Sequence, residues 1–440
     1  MANTLDKLIT EQGERSTYDA VSQCSRCGYC EQACPTYVVT GKEHFSGRGR
    51  NQIARMLLEG KFKDPQAASE ALSTCLLCGA CTSACYAHVP TADIVLEGRR
   101  ILRGGKSPLL ARLLRWLMED HPAWFVLALK SAYALKRWGL ARAFARTRVL
   151  DLAGLGELAL AETHVEEAPR RFLFEMLRED VEVSRPDEGA ASPRWLYFAP
   201  CGPNFLYPRV GLATVKLLKG NRGAGRFLDN PCCGLLFYNY GDLDAAKRFA
   251  RRNIENAESV AGSGGGDAAE EAAPIVGDCS SCVAHLKSYP QLFLEDPSWK
   301  ARAEAFSRRV RDVLEVLPQA AGRPDGGSAA VAYHDSCRAR HGQGIADPPR
   351  VALKAAFDGA YRELPEAGWC CGGAGAFAFS HPELSEEVLK ARIGHIASVQ
   401  ARVVATSSTS CLLQLAHGLR KYYPECRVAH VSELLLEKGS

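Results

Sequence analysis

The chain has 440 residues, of which 54 are Lys or Arg, 50 are Asp or Glu and 18 are Cys. Its net charge of +4 is small for this length and argues against a general nucleic-acid binder, which carries a strong basic excess on one face. A chain this long does not need disulfides to fold, and it shows neither an export signal nor an apolar stretch of about 20 residues. We therefore expect a cytoplasmic protein that uses its cysteines for metal or redox chemistry.

Two runs of four cysteines lie in residues 1–105, which we interpret as one domain. The first run is Cys24, Cys27, Cys30 and Cys34, and the second is Cys75, Cys78, Cys81 and Cys85. Both have the C-x-x-C-x-x-C-x-x-x-C spacing of bacterial ferredoxins, although Tyr86 follows the second run where a proline is usual. Zinc sites use two cysteine pairs, so a four-cysteine run that occurs twice favours two [4Fe–4S] cubane clusters.

The spacing also predicts which cysteines share a cluster. Three cysteines at two-residue gaps can wrap around one cubane, whereas the fourth begins a helix and points toward the other cubane. The predicted ligands of cluster 1 are Cys24, Cys27, Cys30 and Cys85. The predicted ligands of cluster 2 are Cys75, Cys78, Cys81 and Cys34. Two cubanes ligated in this crossed manner lie close together, which suits electron transfer.

Residues 106–190 contain no cysteine and are predicted to form a helical connector. Apolar residues at helical spacing between 108 and 150, accompanied by basic side chains, predict two amphipathic helices. Such helices pack on the protein's own core or dock on a partner or membrane surface, and the pattern leaves both interpretations open. Residues 180–194 and 318–328 have the composition of linkers, and the glycines within 261–273 predict an exposed loop.

Residues 191–320 and 328–440 resemble each other. Each segment begins with a short apolar strand that precedes a cysteine, continues to a Cys-Cys-Gly triplet, and has a second apolar strand that leads into further cysteines. This duplication predicts two α/β domains with short parallel sheets. The predicted fold is of the α+β or α/β class, with an N-terminal α-helical dicluster ferredoxin domain before the duplicated cysteine-rich domain.

The duplicated segments carry the remaining cysteine motifs. The first motif is Cys201, Cys232, Cys233, Cys279 and Cys282, and the second is Cys337, Cys370, Cys371 and Cys411. Ser408 stands where the second motif would have a fifth cysteine, and Cys426 matches no motif, so we interpret it as an ordinary buried thiol. Glycine beside a cysteine pair allows positive φ, so both thiols can face one metal cluster. Four polar residues stand near these motifs: His334, Asp335, His341 and His285. The sequence leaves three interpretations open for them, namely extra metal ligands, proton carriers, or ordinary polar residues at strand ends.

These motifs resemble the duplicated CCG domain of heterodisulfide reductase subunits. The whole chain resembles glycolate oxidase iron-sulfur subunits and the related subunits of lactate and anaerobic glycerol-3-phosphate dehydrogenases. The pieces that carry the resemblance are Cys34-Pro35-Thr36-Tyr37, Gly47-Arg48-Gly49-Arg50, Cys370-Cys371-Gly372-Gly373-Ala374-Gly375 and His381-Pro382-Glu383-Leu384. The resemblance implies a further, non-cubane [4Fe–4S] cluster at the five-cysteine motif. For the four-cysteine motif it leaves open a cubane, a cluster with a non-cysteine ligand, or no cluster.

The chain shows no G-x-G-x-x-G or P-loop motif, so we expect no flavin, NAD or nucleotide site on it. The resemblance implies an oxidoreductase subunit that takes electrons from a partner flavoprotein dehydrogenase acting on a 2-hydroxyacid such as glycolate or lactate. The implied acceptor is a quinone, a membrane carrier or a haem subunit, and peripheral attachment to the inner face of the membrane is compatible with this role. The alternative is a heterodisulfide-reductase-like subunit, in which a non-cubane cluster performs thiol–disulfide chemistry.

Overall fold

The computed structural model describes residues 5–104, 106–107, 109–147, 156–179, 193–230, 232–261, 273–317 and 329–439. The predicted linkers at 180–194 and 318–328 and the predicted loop at 261–273 lie almost entirely outside these residues. Within the described ranges, no helix is both long and apolar enough to cross a membrane.

The N-terminal part is mainly helical and places its cysteines in the loops between helices. It opens with a hairpin of β1 (Lys7–Thr10) and β2 (Gly13–Ser16). The helices that follow are Thr17–Ser22, Pro35–Thr40, Gly47–Leu58, Pro65–Ser73, Ala80–Ser83 and Thr91–Leu102, with a 3₁₀ turn at Glu43–Phe45. Ser46 and Asp64 fix the starts of two of these helices, because their side chains accept hydrogen bonds from otherwise unpaired backbone N–H groups.

The fourth cysteine of each run sits in a different backbone setting. Cys34 directly precedes the helix Pro35–Thr40, as predicted, because the fixed φ of Pro35 suits the first helical position. The prediction that the fourth cysteine begins a helix is wrong for Cys85, which is followed by a turn. Tyr86 lacks the fixed φ of proline, and the next helix starts only at Thr91.

The connector contains more helices than predicted. They are Leu109–Arg115, Pro122–Arg137, Leu140–Arg146, Gly156–His164 and Leu173–Glu179, with a π-helical turn at Trp116–Asp120. The predicted pair is divided at Pro122, which starts the longest helix, and at Gly139, whose φ is +77°. The helix Pro122–Arg137 buries Tyr133 but leaves Trp124 and Leu127 exposed, so it contacts the rest of the chain along a narrow strip.

Each cysteine-rich half contains a four-stranded parallel sheet, as the duplication predicts. The first sheet consists of β3 (Leu196–Phe198), β4 (Arg226–Leu228), β5 (Ile275–Gly277) and β6 (Val310–Asp312), in the order β4-β3-β5-β6. The second consists of β7 (Val331–Tyr333), β8 (Tyr361–Arg362), β9 (Val403–Thr406) and β10 (Arg427–His430), in the order β8-β7-β9-β10. The same order in both sheets confirms the internal duplication.

Helices cover the faces of both sheets. In the first half they are Cys201–Phe205, Pro208–Arg222, Leu235–Tyr240, Leu243–Ala261, Ser280–Lys287, Pro297–Arg309 and Val313–Val316, with a 3₁₀ helix at Tyr289–Phe293. In the second half they are Cys337–Gln343, Asp347–Phe357, Phe377–Ser380, Pro382–Ser398, Thr409–Tyr422 and Val431–Gly439, with a 3₁₀ helix at Asp358–Ala360. Because the central strands are buried on both faces, they are short continuous apolar runs without polar alternation.

Shared cores join the three parts of the molecule. Successive residues of β3 point to opposite faces, so Phe198 joins a core with the N-terminal helices and Tyr197 joins a core with the second half. In the second sheet, Tyr333 faces that same core, whereas Ala332 packs with the helices that follow the second Cys-Cys-Gly triplet. The dicluster part and the two α/β halves therefore form one continuously packed body.

Candidate metal centres

The two ferredoxin-type runs fold into the same loop. The residue before the second cysteine has a positive φ in both loops, 62° at Arg26 and 53° at Leu77, and so does the glycine after it, 89° at Gly28 and 80° at Gly79. Positive φ costs a bulky residue such as leucine about 1–3 kcal/mol, so other interactions must hold it there. The loop turns backbone N–H groups inward, and that of Leu77 donates to Cys75 Sγ over 3.4 Å.

One pocket is lined by four cysteines from both runs. They are Cys34, Cys75, Cys78 and Cys81. The pocket encloses about 350 Å³, counting its opening to solvent. Arg50 also lines it, and this buried guanidinium donates to Cys34 Sγ over 3.7 Å and to Thr36 Oγ1 over 3.1 Å. Among the described residues no carboxylate lies within ion-pair distance of Arg50, so an anionic iron–sulfur cluster suits this pocket.

The other four ferredoxin-type cysteines lie nearer the surface. Cys27 is exposed, and Cys24, Cys30 and Cys85 are partly exposed. Tyr29 precedes Cys30 and Tyr86 follows Cys85, and the two tyrosine rings meet edge to face with centroids 5.2 Å apart. This contact brings the end of the second run to the first run. The geometry at both sites is therefore compatible with the crossed ligand sets that the spacing predicts.

The five cysteines of the first CCG site come together at the carboxyl edge of the first sheet. Cys201 follows β3, the pair Cys232 and Cys233 follows β4, and Cys279 follows β5. These three strands are neighbours, and the chain leaves β3 on both sides, so the edge is a topological switch point, where α/β proteins bind ligands. Hydrogen bonds link the thiols of all five residues, Cys201, Cys232, Cys233, Cys279 and Cys282.

Neighbouring thiols in the first CCG site favour the thiolate form of two members. The hydrogen bond with Cys232 lowers the pKa of the Cys233 thiol to about 6, and the hydrogen bond with Cys282 lowers the pKa of the Cys279 thiol to about 6. Gly234 has a φ of +89°, as the motif predicts, and donates its N–H to Cys232 Sγ over 3.4 Å. Hydrogen bonds with neighbouring thiols raise the pKa of Cys201 and Cys282, so the contacts favour the thiolate, the form that binds metal, at only two of the five positions.

The four cysteines of the second CCG site occupy the equivalent edge of the second sheet. The Sγ atoms of Cys371 and Cys411 are 3.4 Å apart, and the thiols of Cys337 and Cys370 share a hydrogen bond. Gly372 has a φ of +82° and donates its N–H to Cys370 Sγ over 3.5 Å, which repeats the geometry of the first site. Four converging thiols, three of them buried, match the donor set of an iron–sulfur cluster.

His334 lies against the cysteines of the second CCG site. One of its ring nitrogens and the Sγ atoms of Cys371 and Cys411 lie within 4.8 Å of one another. Asp335, the next residue, instead forms ion pairs with two arginines, the shorter of them 2.7 Å long to Arg350. The structure therefore brings only the histidine of this pair to the candidate metal centre.

The other two polar candidates lie elsewhere. His341 Nδ1 is 2.9 Å from Ser83 Oγ, so this histidine joins the second half to the dicluster domain. His285 is buried beside the rings of Tyr238 and Tyr289, at centroid distances of 5.2 and 5.5 Å. Burial lowers the pKa of His285 to about 3, so the side chain is neutral. Neither histidine belongs to a group of metal-ligating side chains like the one that His334 forms with Cys371 and Cys411.

The second CCG site lies beside the cluster 2 pocket. Leu76 and Cys78, from the loop of that pocket, pack in one small core with Cys370 and Cys337. Burial, followed by the charge of Cys337, raises the pKa of the Cys78 thiol well above its ordinary value. A Cβ atom on Gly79 would lie 3.3 Å from the Cβ atom of His341, which belongs to the helix that starts at Cys337. The two sites are therefore in direct contact through their loops.

Ser408 links the two CCG sites. Its Oγ lies 3.7 Å from Cys279 Sγ and 2.8 Å from Ser281 Oγ, both in the first half. The backbone N–H of Ser280 also donates to Ser407 O over 2.9 Å. The serine that stands in place of a fifth cysteine thus faces the opposite site. Contacts therefore join the second CCG site to the cluster 2 pocket and to the first CCG site, and the first CCG site also shares a core with Cys24, Cys75 and Cys85.

Two buried arginines beside the cysteines are candidate functional residues that our sequence analysis did not single out. Arg50 appeared there only as part of a longer motif, and Arg392 did not appear. A signal was present for Arg392, because it stands four residues from both Val388 and Ile396 on the apolar face of one helix. An arginine inside an apolar helical stripe is rare unless a buried group compensates it.

This fold and these sites define an iron–sulfur protein with a dicluster domain and a duplicated cysteine-rich domain. Residues 20–89 match the family model described as "4Fe-4S dicluster domain". Residues 195–287 and 331–416 match the family model described as "Cysteine-rich domain".

The chain is similar to several curated proteins. The chain is 26% identical over 459 residues to a probable glycolate oxidase iron-sulfur subunit of Bacillus subtilis, covering 98% of this chain and 97% of the relative. It is 26% identical over 408 residues to the glycolate oxidase iron-sulfur subunit of Escherichia coli, covering 90% of each. A lactate utilization protein A of Exiguobacterium sp. is 31% identical over 253 residues, or 56% of this chain and 98% of the relative. The chain belongs to this family of iron-sulfur subunits.

Proposed function

We propose that the chain is the electron-transfer subunit of a flavin-linked 2-hydroxyacid dehydrogenase of the glycolate or lactate type. The observation that carries this proposal is the group of four neighbouring cysteine sites. Cys27 in the cluster 1 site and Cys201 in the first CCG site are exposed, so a redox partner can approach the group at two places. Iron–sulfur clusters supply one-electron chemistry when bound at such sites. The names of the relatives support the substrate class.

The proposed ligand sets follow the grouping of the thiols. Cluster 1 takes Cys24, Cys27, Cys30 and Cys85, and cluster 2 takes Cys34, Cys75, Cys78 and Cys81. A third [4Fe–4S] cluster takes the five cysteines of the first CCG site, and a fourth takes the four cysteines of the second CCG site. The shared pocket around Cys34 supports the crossed assignment of cluster 2. The protein holds the thiols close together and buries seven of the nine in the two CCG sites, which limits access of water and oxidants there.

A partner flavoprotein is part of the proposal. The chain carries no nucleotide-binding motif, so the two-electron oxidation of a hydroxyacid needs a flavin on another subunit. A quinone or a membrane carrier, with or without a haem subunit, is the proposed acceptor. The predicted cytoplasmic location, at or near the inner face of the membrane, stays a prediction.

The test begins with anaerobic reconstitution of the full chain. We expect about 16 iron atoms per chain for four [4Fe–4S] clusters, and each ligand set is checked by one variant: Cys34→Ser, Cys85→Ser, Cys233→Ser and Cys411→Ser. Each variant is expected to lose the paramagnetic resonance signal of a single site. Cys426→Ser is the matched control, because this buried thiol belongs to no motif. A chain that binds only trace iron would contradict the proposal.

The complete electron path is then tested with the partner. The flavoprotein encoded beside this chain is mixed with the reconstituted protein, glycolate or lactate is added, and bleaching of the iron–sulfur absorbance is followed. We expect substrate-dependent bleaching that requires the flavoprotein. No bleaching with either hydroxyacid, although the clusters reduce with dithionite, would contradict the proposed substrate class and leave the iron–sulfur assignment intact.

One observation favours the second candidate function, thiol–disulfide chemistry of the heterodisulfide reductase type. The first CCG site has all five cysteines, and Cys201 opens it to solvent. A disulfide substrate would therefore reach this site. The distinguishing measurement is paramagnetic resonance after oxidation in the presence of a thiol. A thiol-dependent signal that disappears in Cys233→Ser would favour this candidate over the first.

A further inference from the structure

Arg392 is a fully buried cation without a carboxylate partner among the described residues. Its side chain is 0% exposed and lies on the apolar face of the helix Pro382–Ser398. Asp335, the acid whose charge acts on Arg392, already pairs with Arg350 at 2.7 Å and with Arg340 at 3.1 Å. Arg392 Nη1 donates to two backbone carbonyl oxygens over 3.2 and 2.9 Å, but these neutral acceptors leave its positive charge without an anion. A buried charge without an anion costs several kcal/mol, and an anionic group beside Arg392 would offset this cost.

The guanidinium of Arg392 determines how His334 is protonated. Arg392 Nε lies 2.9 Å from His334 Nδ1, and arginine can only donate, so Nδ1 accepts this hydrogen bond. The neutral ring therefore carries its proton on Nε2.

Two donors of this pair are left without a partner. His334 Nε2 and Arg392 Nη2 are buried and make no hydrogen bond within the described residues. One ring nitrogen of His334 lies within 4.8 Å of Cys371 Sγ and Cys411 Sγ, so the histidine adjoins the cysteines of the second CCG site. Sulfur atoms of a thiolate-bound cluster are acceptors of the kind that such orphan donors need.

The first CCG site has neutral residues at the two corresponding positions. Phe198 follows a strand tyrosine and stands three residues before Cys201, as His334 follows Tyr333 and stands three residues before Cys337. Asn253 stands six residues before Ser259-Val260, near the end of its helix. Arg392 stands six residues before Ser398-Val399, at the end of its own helix. Apart from the fifth cysteine, which only the first site has, the two sites thus differ at these positions by one buried positive charge and one imidazole N–H.

We propose that Arg392 and His334 are positioning residues for a cluster held by the four cysteines of the second CCG site, and that they make this cluster easier to reduce than the cluster of the first CCG site. His334 acts as an N–H donor to sulfur and not as a metal ligand. Reduction adds negative charge to the site, and a buried cation with a sulfur hydrogen bond stabilises that charge. The inference rests on the proposed function, because it requires a cluster at this site.

The test uses the full chain reconstituted anaerobically and a redox titration followed by paramagnetic resonance. The signal of the second CCG site is the one absent from Cys411→Ser. We expect Arg392→Gln to shift the reduction equilibrium of this signal at least tenfold toward the oxidised form, which is about 59 mV for one electron. Arg392→Lys keeps the charge and should shift it less. Arg402→Gln, at an exposed ion pair in the same half, is the matched control and should not shift it.

His334→Phe copies the residue of the first half and should shift the same signal in the same direction as Arg392→Gln. Loss of iron from Arg392→Gln but not from Arg392→Lys supports the need for a cation. Equal loss of iron from both variants, or a native iron content with an unchanged potential, overturns the inference. A wild-type chain that has no signal dependent on Cys411 overturns the cluster assignment itself, which separates failure of the proposed function from failure of this inference.

Discussion

Replacement of Gly47 by alanine should damage the cluster 2 site. An ideal Cβ atom on Gly47 would lie 2.8 Å from Cys81 Cβ and 3.4 Å from the Sγ atoms of both Cys81 and Cys30. Two carbon atoms prefer a separation of about 3.5–4.0 Å, so Cys81 must move by roughly 0.7 Å. Metal–ligand distances tolerate only about 0.2 Å, so this displacement exceeds what a bound cluster accepts.

The expected cost follows from overpacking of a filled site. Inserting a methyl group into a well-packed interior costs about 1–3 kcal/mol, which corresponds to a roughly 5- to 150-fold weaker retention of the cluster. We would measure this as the loss of iron and sulfide during anaerobic incubation with a chelator. Paramagnetic resonance would report the same loss, because the interaction between two adjacent reduced clusters would disappear with cluster 2.

Gly394→Ala is the control for this prediction. Gly394 lies inside the helix Pro382–Ser398, and a Cβ atom there would meet nothing within 4 Å. Alanine has a higher helix propensity, by about 1 kcal/mol, so this variant should be at least as stable as the parent. If Gly47→Ala retained its iron as long as Gly394→Ala and showed the same resonance spectrum, the packing argument would be refuted.

Three further predictions follow from buried contacts. Arg50→Gln should lower the stability of the iron-loaded chain by about 1.5–3 kcal/mol more than that of the metal-free chain, because the charged hydrogen bond to Cys34 meets a cluster-bound thiolate only when iron is present. Anaerobic thermal unfolding would measure both stabilities, and equal destabilisation of the two forms would contradict this reasoning. Gly202→Ala should destabilise the contact between the two halves by about 1–3 kcal/mol, since its Cβ atom would lie 2.1 Å from Thr409 Oγ1, and Thr409→Gly in the same chain should restore part of the loss. Ser408→Ala should lower the free energy of unfolding by about 1 kcal/mol, because the hydrogen bond to Ser281 is lost, and it should leave the iron content unchanged. Loss of iron from this variant would instead show that Ser408 is a ligand.

Much of the fold follows from local sequence signals. The duplicated strand and Cys-Cys-Gly pattern predicted two parallel α/β halves, and both sheets have the same strand order. The positive φ of Gly234 and Gly372 was predictable because glycine beside a cysteine pair is a local requirement. The strands β4, β6, β8 and β10 were not predicted, since each contains an arginine and lacks the continuous apolar run of the central strands, and they gain their stability from pairing with distant strands.

The sequence by itself determined which thiols are grouped along the chain, because spacing within a loop controls which side chains can face one centre. Only the tertiary structure decided how these groups lie relative to one another. It places the second CCG site between the cluster 2 pocket and the first CCG site, and it turns Ser408 toward Cys279 of the opposite half. It also buries Arg392 beside the second set of cysteines. These relations depend on packing between residues that are far apart in sequence, and no local pattern encodes such contacts.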